Sequence, residues 1–272
     1  MTRCKLLAYT RLTLLLLPSM VCAQQSPVDL WATLLKPHHF PQTELIEDNS
    51  VIELVTPYRA EDAATTPVRI KALLPQSAER YIKTVYLFVD RNPEPLVGRF
   101  EFTPNLPRAD LALRVRVDRY TDVRAVAVLN TGEHHMVSNF VKAAGGCTAP
   151  MATDYKLALA TMGEMQLKTL VTPSDHERIA QLLVRHPNTT GMQMDYKIYA
   201  VRPAHYVKTI RVLLDGVVVM SAETGISVSE DPSFRFFLPT QAHGELTAEV
   251  TDSNGTQWRE TLKLAVLDKT PK

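Results

Sequence analysis

Leu111-Ala112-Leu113-Arg114-Val115-Arg116-Val117-Asp118 decides the fold of this chain. Leu111, Leu113, Val115 and Val117 alternate with Ala112, Arg114, Arg116 and Asp118, a period of two that sets one apolar face against one polar face. A helix would scatter the same residues around its axis. Strand character recurs around this stretch, at 51–55, 68–73, 82–89, 96–102, 123–129 and 136–141, with Asn130-Thr131-Gly132-Glu133 as a tight turn. About seven short strands in about a hundred residues, with little helix, predict an immunoglobulin-like sandwich.

A second set of strands follows at 180–184, 194–200, 207–214, 217–222, 234–238, 246–251 and 258–266. Asp215-Gly216 and Asn254-Gly255 are strong hairpin signals within it. The expected fold class is therefore all-β, with two immunoglobulin-like β-sandwich domains in tandem. A short helix precedes them, because Leu30, Trp31, Leu34 and Leu35 share one helical face and Pro37 ends the run. Between the two blocks, 155–165 reads as a helix capped by Asp154 and weakened near its end by Gly163.

The N-terminus reads as an export signal. Arg3, Lys5 and Arg11 precede an apolar run at 12–17, and Val21-Cys22-Ala23 offers small residues for cleavage before Gln24. That run is too short for a membrane span, and later apolar stretches are interrupted by charge. Loss of 1–23 leaves about 250 residues, enough for two modest domains. The chain has 30 basic and 29 acidic residues, so without the three basic residues of the signal it is slightly acidic. Such a balance carries no nucleic-acid footprint.

Cysteine usage then isolates one residue. Cys4 and Cys22 leave with the signal, so Cys147 is the single thiol of the exported chain, in an oxidising compartment. It stands in Val141-Lys142-Ala143-Ala144-Gly145-Gly146-Cys147-Thr148-Ala149-Pro150, where two glycines remove side-chain bulk and a proline blocks regular structure. This context predicts an exposed, pliable loop, although a cysteine without context is more often buried. Lys142 reads as a solvated strand-end residue. The pairs His38-His39 and His134-His135 have neither helical nor strand spacing for a metal face. His205 reads as a residue that holds the second sandwich together or lines an interface. No haem-attachment, nucleophile-elbow, phosphate-loop or zinc-protease motif is present, so the sequence predicts neither an enzyme nor a cofactor or metal site.

The segment Phe140-Val141-Lys142-Ala143-Ala144-Gly145-Gly146-Cys147 resembles the end of SoxY, the sulfur-carrying subunit of the bacterial sulfur-oxidation system, whose Gly-Gly-Cys arm bears substrate on its cysteine. The second block resembles SoxZ, the partner subunit, at His186-Pro187-Asn188-Thr189-Thr190-Gly191, Arg202-Pro203-Ala204-His205-Tyr206-Val207 and Ser229-Glu230-Asp231-Pro232-Ser233-Phe234-Arg235-Phe236. The single-chain order is similar to fused SoxYZ-like carriers associated with quinoprotein dehydrogenases. The resemblance implies a signal peptide at 1–23, a SoxY-like domain at 24–147, a linker at 148–171 and a SoxZ-like domain at 172–272. It implies a periplasmic carrier that holds a sulfur-containing or other thiol-reactive group on Cys147, with Gly145 and Gly146 as its carrier loop. Partners would be periplasmic redox enzymes, either a quinoprotein dehydrogenase or sulfur-oxidation enzymes. The competing reading is a non-covalent accessory or chaperone protein for a periplasmic quinoprotein dehydrogenase. In SoxY the cysteine lies at a free C-terminal tip, whereas here Thr148-Ala149-Pro150 leads on into the second block.

Overall fold

The computed structural model describes residues 29–171 and 177–265. The expected export signal at 1–23 lies outside them. The first element among the described residues is a π-helical turn, Trp31–Leu35, that runs into α1 (Lys36–His39). Trp31 and Leu35 pack with Phe40, Phe88, Val126 and Met136 in a small satellite core. Leu34, expected on the same face, is exposed.

The first half is built from β1 (Ile46–Glu47), β2 (Ile52–Val55), β3 (Thr66–Ala72), β4 (Ile82–Val89), β5 (Leu96–Phe102), β6 (Leu111–Val115), β7 (Thr121–Leu129) and β8 (His134–Val141). After α2 (Tyr155–Ala160), the second half adds β9 (Met165–Val171), β10 (Arg178–Val184), β11 (Met194–Asp195), β12 (Ala200–Val201), β13 (Val207–Leu214), β14 (Val217–Thr224), β15 (Ser233–Leu238), β16 (Gly244–Asp252) and β17 (Gln257–Leu264). The fold is mostly strand with a short N-terminal helix, in open sheets of sandwich type.

The two halves do not merely pack against one another. One sheet runs β1-β8-β7-β4-β5-β14-β13-β16-β17, and the facing sheet runs β2-β3-β6-β15-β10-β9. The junctions are β5 with β14, in register from Phe102↔Met220 to Gly98↔Thr224, and β6 with β15 at Ala112↔Arg235. Each half would otherwise end in an unpaired strand at this side, and joining the edges satisfies those backbone groups. Apolar residues from both halves, among them Phe100, Leu113, Val115, Ile210, Phe234 and Phe236, form one continuous core.

Three expectations for local structure are corrected. The last part of the expected linker is a strand: β9 pairs along its length with β10, from Val171↔Arg178 to Met165↔Val184. The helix stops at Ala160 rather than 165, with Asp154 accepting from the N–H groups of Lys156 and Leu157 as expected. The stretch 194–200 is a small hairpin, β11 against β12, rather than one strand.

Candidate functional site

Cys147 follows β8. Beyond Val141 the chain pairs with a loop of the first half: Lys142 N–H donates to Tyr58 O at 2.8 Å, and Ala60 N–H donates to Lys142 O at 3.2 Å. The Lys142 ammonium sits 4.7 Å from the centre of the Tyr58 ring, which accounts for its charge without the thiol. The next residues turn back over the end of β6. Gly145 N–H donates to Asp118 O at 2.9 Å and Gly146 N–H to Val117 O at 3.0 Å. Gly145 has φ +80°, and a Cβ at position 146 would run into the carbonyl groups of Ala63 and Val117. The two glycines are therefore required for close docking onto their own domain.

Cys147 is fully buried, in contradiction to the exposed loop that its neighbours in sequence predict. The cover comes from residues distant in sequence. Thr190 Oγ1 donates to Cys147 O at 2.6 Å and Gln193 Nε2 to Ala149 O at 2.9 Å, so the loop after β10 grips the cysteine segment from the second half. On the first-half side, Cys147 N–H donates to Asp118 Oδ1 at 3.4 Å. Further on, Ala152 and Thr153 donate their N–H groups to the Glu230 carboxylate at 2.9 and 3.0 Å. The loop is held at both ends and in its middle.

Beneath it lies Arg116. The alternation in sequence sets this side chain toward solvent, but it is only 1% exposed. β6 ends at Val115, and the continuation pairs with a segment of the second half: Arg116 N–H donates to Ser227 O at 2.8 Å, beside the antiparallel bridge Val115↔Val228. The guanidinium is then capped by the Gly145-Gly146-Cys147 loop and the clamp, with Nη1 donating to Gly146 O at 3.1 Å and Nη2 to Asn188 O at 3.4 Å. Burial and the Asp118 carboxylate, opposed by Arg116, push the Cys147 thiol up to about 12. In this closed state the sulfur is a neutral thiol at ordinary pH.

The clamp is built by the residues 186–193. Asn188 is fully buried at φ +40°; its Nδ2 donates to Val228 O, its Oδ1 accepts from Val207 N–H, and its own N–H donates to His186 Nδ1 at 3.1 Å. Thr189 pairs with His205 through backbone hydrogen bonds in both directions. His205 Nε2 lies 2.7 Å from Asp252 Oδ2, so His205 does tie the second sandwich together. His186, His205 and Asp252 bring one donor atom each within 4.8 Å of the others, an arrangement with the look of a cation site. However, the Asn188 N–H directed at His186 Nδ1 leaves the His186 proton on Nε2, the atom facing Asp252, and a proton there opposes a metal bond. Burial and His205 hold the His186 imidazole down to about 4. His134 and His135 begin β8, at the opposite end from the thiol, where they contact Gly132 O and Asp48.

Arg116, Thr190 and Gln193 were therefore not legible as site residues from alternation or spacing. The motif 186–191 was visible only as part of a resemblance, with no indication that it closes over Cys147. No helix among the described residues is long and apolar enough to cross a membrane.

Comparison with known proteins supplies the family context. Residues 37–147 match the family model of sulfur oxidation protein SoxY, and residues 171–263 match that of sulphur oxidation protein SoxZ. The first match ends at Cys147 itself. Among solved structures, the sulfur carrier protein SoxY from Chlorobium limicola f thiosulfatophilum is 21% identical over 40% of this chain and 88% of that one, with a TM-score of 0.34. A superoxide reductase (neelaredoxin) from Ignicoccus hospitalis is 16% identical over 34% of this chain and 79% of that one, with a TM-score of 0.30. A beta-glycosidase from Bacteroides vulgatus is 11% identical over 80% of this chain and 25% of that one, with a TM-score of 0.25. Among curated proteins none matches this chain. The chain thus carries a segment that matches the SoxY family model and a segment that matches the SoxZ family model, in that order, within one polypeptide.

Proposed function

We propose that the protein is a periplasmic, non-enzymatic carrier that holds a sulfur-containing or other thiol-reactive group covalently on Cys147 and presents it to partner enzymes of sulfur oxidation. The observation that carries this reading is the Gly145-Gly146-Cys147 loop, which closes the SoxY-matched segment and is gripped by Thr190 and Gln193 of the SoxZ-matched one. The pairing of these two sulfur-oxidation families in one chain supports it further. Export by a signal at 1–23 remains part of the proposal.

Burial changes how such a carrier works. The closed thiol neither attacks nor is attacked, because it is protonated and covered. Loading requires the Thr190 and Gln193 hydrogen bonds to part so that the loop swings out on Gly145. The freed thiol then ionises more readily, and its thiolate attacks an electrophilic sulfur, forming an S–S bond while the leaving group departs with the electron pair. The expected result is an adduct mass on Cys147 in protein taken directly from periplasm, absent from Cys147→Ser. The same burial is the one observation that favours the second reading, an accessory protein for a quinoprotein dehydrogenase with an idle cysteine. Persistent absence of any adduct under sulfur-oxidising growth would decide for it.

A further inference from the structure

Carriage on Cys147 leaves Arg116 without an explanation. Its guanidinium is buried beneath the loop, spends two donors on the carbonyls of Gly146 and Asn188, and has an Nε with no partner. Among the described residues no carboxylate forms an ion pair with it. The acidic groups whose charge reaches it are engaged elsewhere: Glu230 by the N–H groups of Ala152 and Thr153, and Asp62 by Ala64 N–H and the Thr65 hydroxyl. A buried cation whose hydrogen-bond partners are carbonyl groups alone is an unfavourable arrangement, and an apolar side chain of similar volume would serve packing better. The charge is accounted for if a negative one arrives beside it. A group whose charge also reaches it is the Cys147 sulfur, and Cys147 directly follows the carbonyl that Arg116 holds.

We propose that Arg116 is the counter-ion for negative charge at Cys147, so that the closed site holds a small anionic group on this sulfur in preference to a neutral or cationic one. The inference rests on the carrier reading of Cys147. The bare thiol does not use Arg116, because burial and Asp118 keep it protonated, so the guanidinium discriminates only once the sulfur is ionised or derivatised. Groups whose charge lies within a few bonds of Sγ, such as a persulfide or a sulfonate, have the right chemistry. A guanidinium suits them because its planar fork keeps donors free for oxygen or sulfur anions while others hold the backbone.

The test compares three mixed disulfides of Cys147 that differ in charge: 2-sulfonatoethyl, 2-hydroxyethyl and 2-aminoethyl. Each is installed on the full chain by the matching methanethiosulfonate. The Cys147 thiolate attacks the sulfenyl sulfur, an S–S bond forms, methanesulfinate leaves with the electron pair, and the thiol proton passes to buffer. The rate of reduction by dithiothreitol is then measured and divided by the rate for the same adduct in urea, which removes intrinsic differences between the groups. In the wild type, the sulfonate adduct is expected to be protected about tenfold more than the aminoethyl adduct, with the neutral one between. Arg116→Lys should retain most of that spread, and Arg116→Gln should reduce it to about twofold or less. Equal protection of all three adducts in the wild type would overturn the proposal, as would a spread that persists in folded Arg116→Gln. If Arg116→Gln does not fold, the wild-type series and Arg116→Lys still decide. Because the adducts are installed chemically, a negative result here leaves the question of native loading to the periplasmic mass measurement, and the reverse holds too.

Discussion

At the scale of single residues, the Gly145-Gly146-Cys147 loop is set by what glycine permits and what burial forbids. A methyl group at position 146 meets the Ala63 and Val117 carbonyls, so Gly146→Ala is expected to destabilise the protein by about 1–3 kcal/mol and to speed maleimide labelling of Cys147 by lifting the loop. Unchanged labelling would show that the close approach is not what keeps the thiol covered. The thiol's own titration gives a second check. Its pKa rises from 9.0 to about 12 on folding, so between these values the unfolded chain loses a proton that the folded one keeps. Stability tied to Cys147 is therefore full below about pH 9 and declines as pH rises toward 12. In Cys147→Ser this alkaline decline should be reduced, as read by urea midpoints at pH 8 and pH 10. Nothing in the local sequence foretold this burial, since Ala144, Thr148 and Pro150 are indeed exposed. The residues that cover the thiol stand some forty positions away, and an alternation pattern carries no information about such contacts.

At the scale of elements, the clamp is a short loop whose backbone is pinned by buried Asn188 and by the His186, His205 and Asp252 cluster. Thr190→Val removes the hydroxyl that donates to Cys147 O while keeping the shape, and one such bond is worth roughly 1 kcal/mol. Native labelling of Cys147 should accelerate about fivefold, and a further several-fold in combination with Gln193→Ala. His186 provides a pH lever of opposite sign to the thiol. Its folded pKa of about 4 lies below the ordinary 6.5, so the unfolded chain binds a proton that the folded one refuses. Stability is full above about pH 6.5 and falls as pH drops toward 4, by on the order of 3 kcal/mol in the limit. Melting temperatures at pH 7.5 and 5 measure this, and His186→Gln should flatten the difference. Most strands of both halves were legible from period-two alternation. β9 was not, because a run of helix formers from Tyr155 onward carried the expected helix across its start, and only pairing with β10 makes it a strand.

At the scale of the whole molecule, the pairing of β5 with β14 and of β6 with β15 makes two halves into one body with a shared core. Sequence alone showed two strand-rich blocks, but edge-to-edge union depends on which strands finish unpaired, and that is a property of topology. The expected consequence is a single calorimetric transition with matching van 't Hoff and calorimetric enthalpies. Two resolved transitions, with one half melting first, would contradict the continuous sheets. The clamp that closes on Cys147 also comes from the same chain, at one copy per thiol and without a second subunit to recruit. Under oxidising conditions this turns survival of the sulfur into a matter of time spent open. An opening free energy on the order of 3 kcal/mol leaves roughly one molecule in 150 ajar at any instant. Chance encounters with small oxidants are then slowed by the same factor, and encounters with a second copy's equally clamped thiol by its square, while a partner that binds the open form loses nothing in speed once engaged.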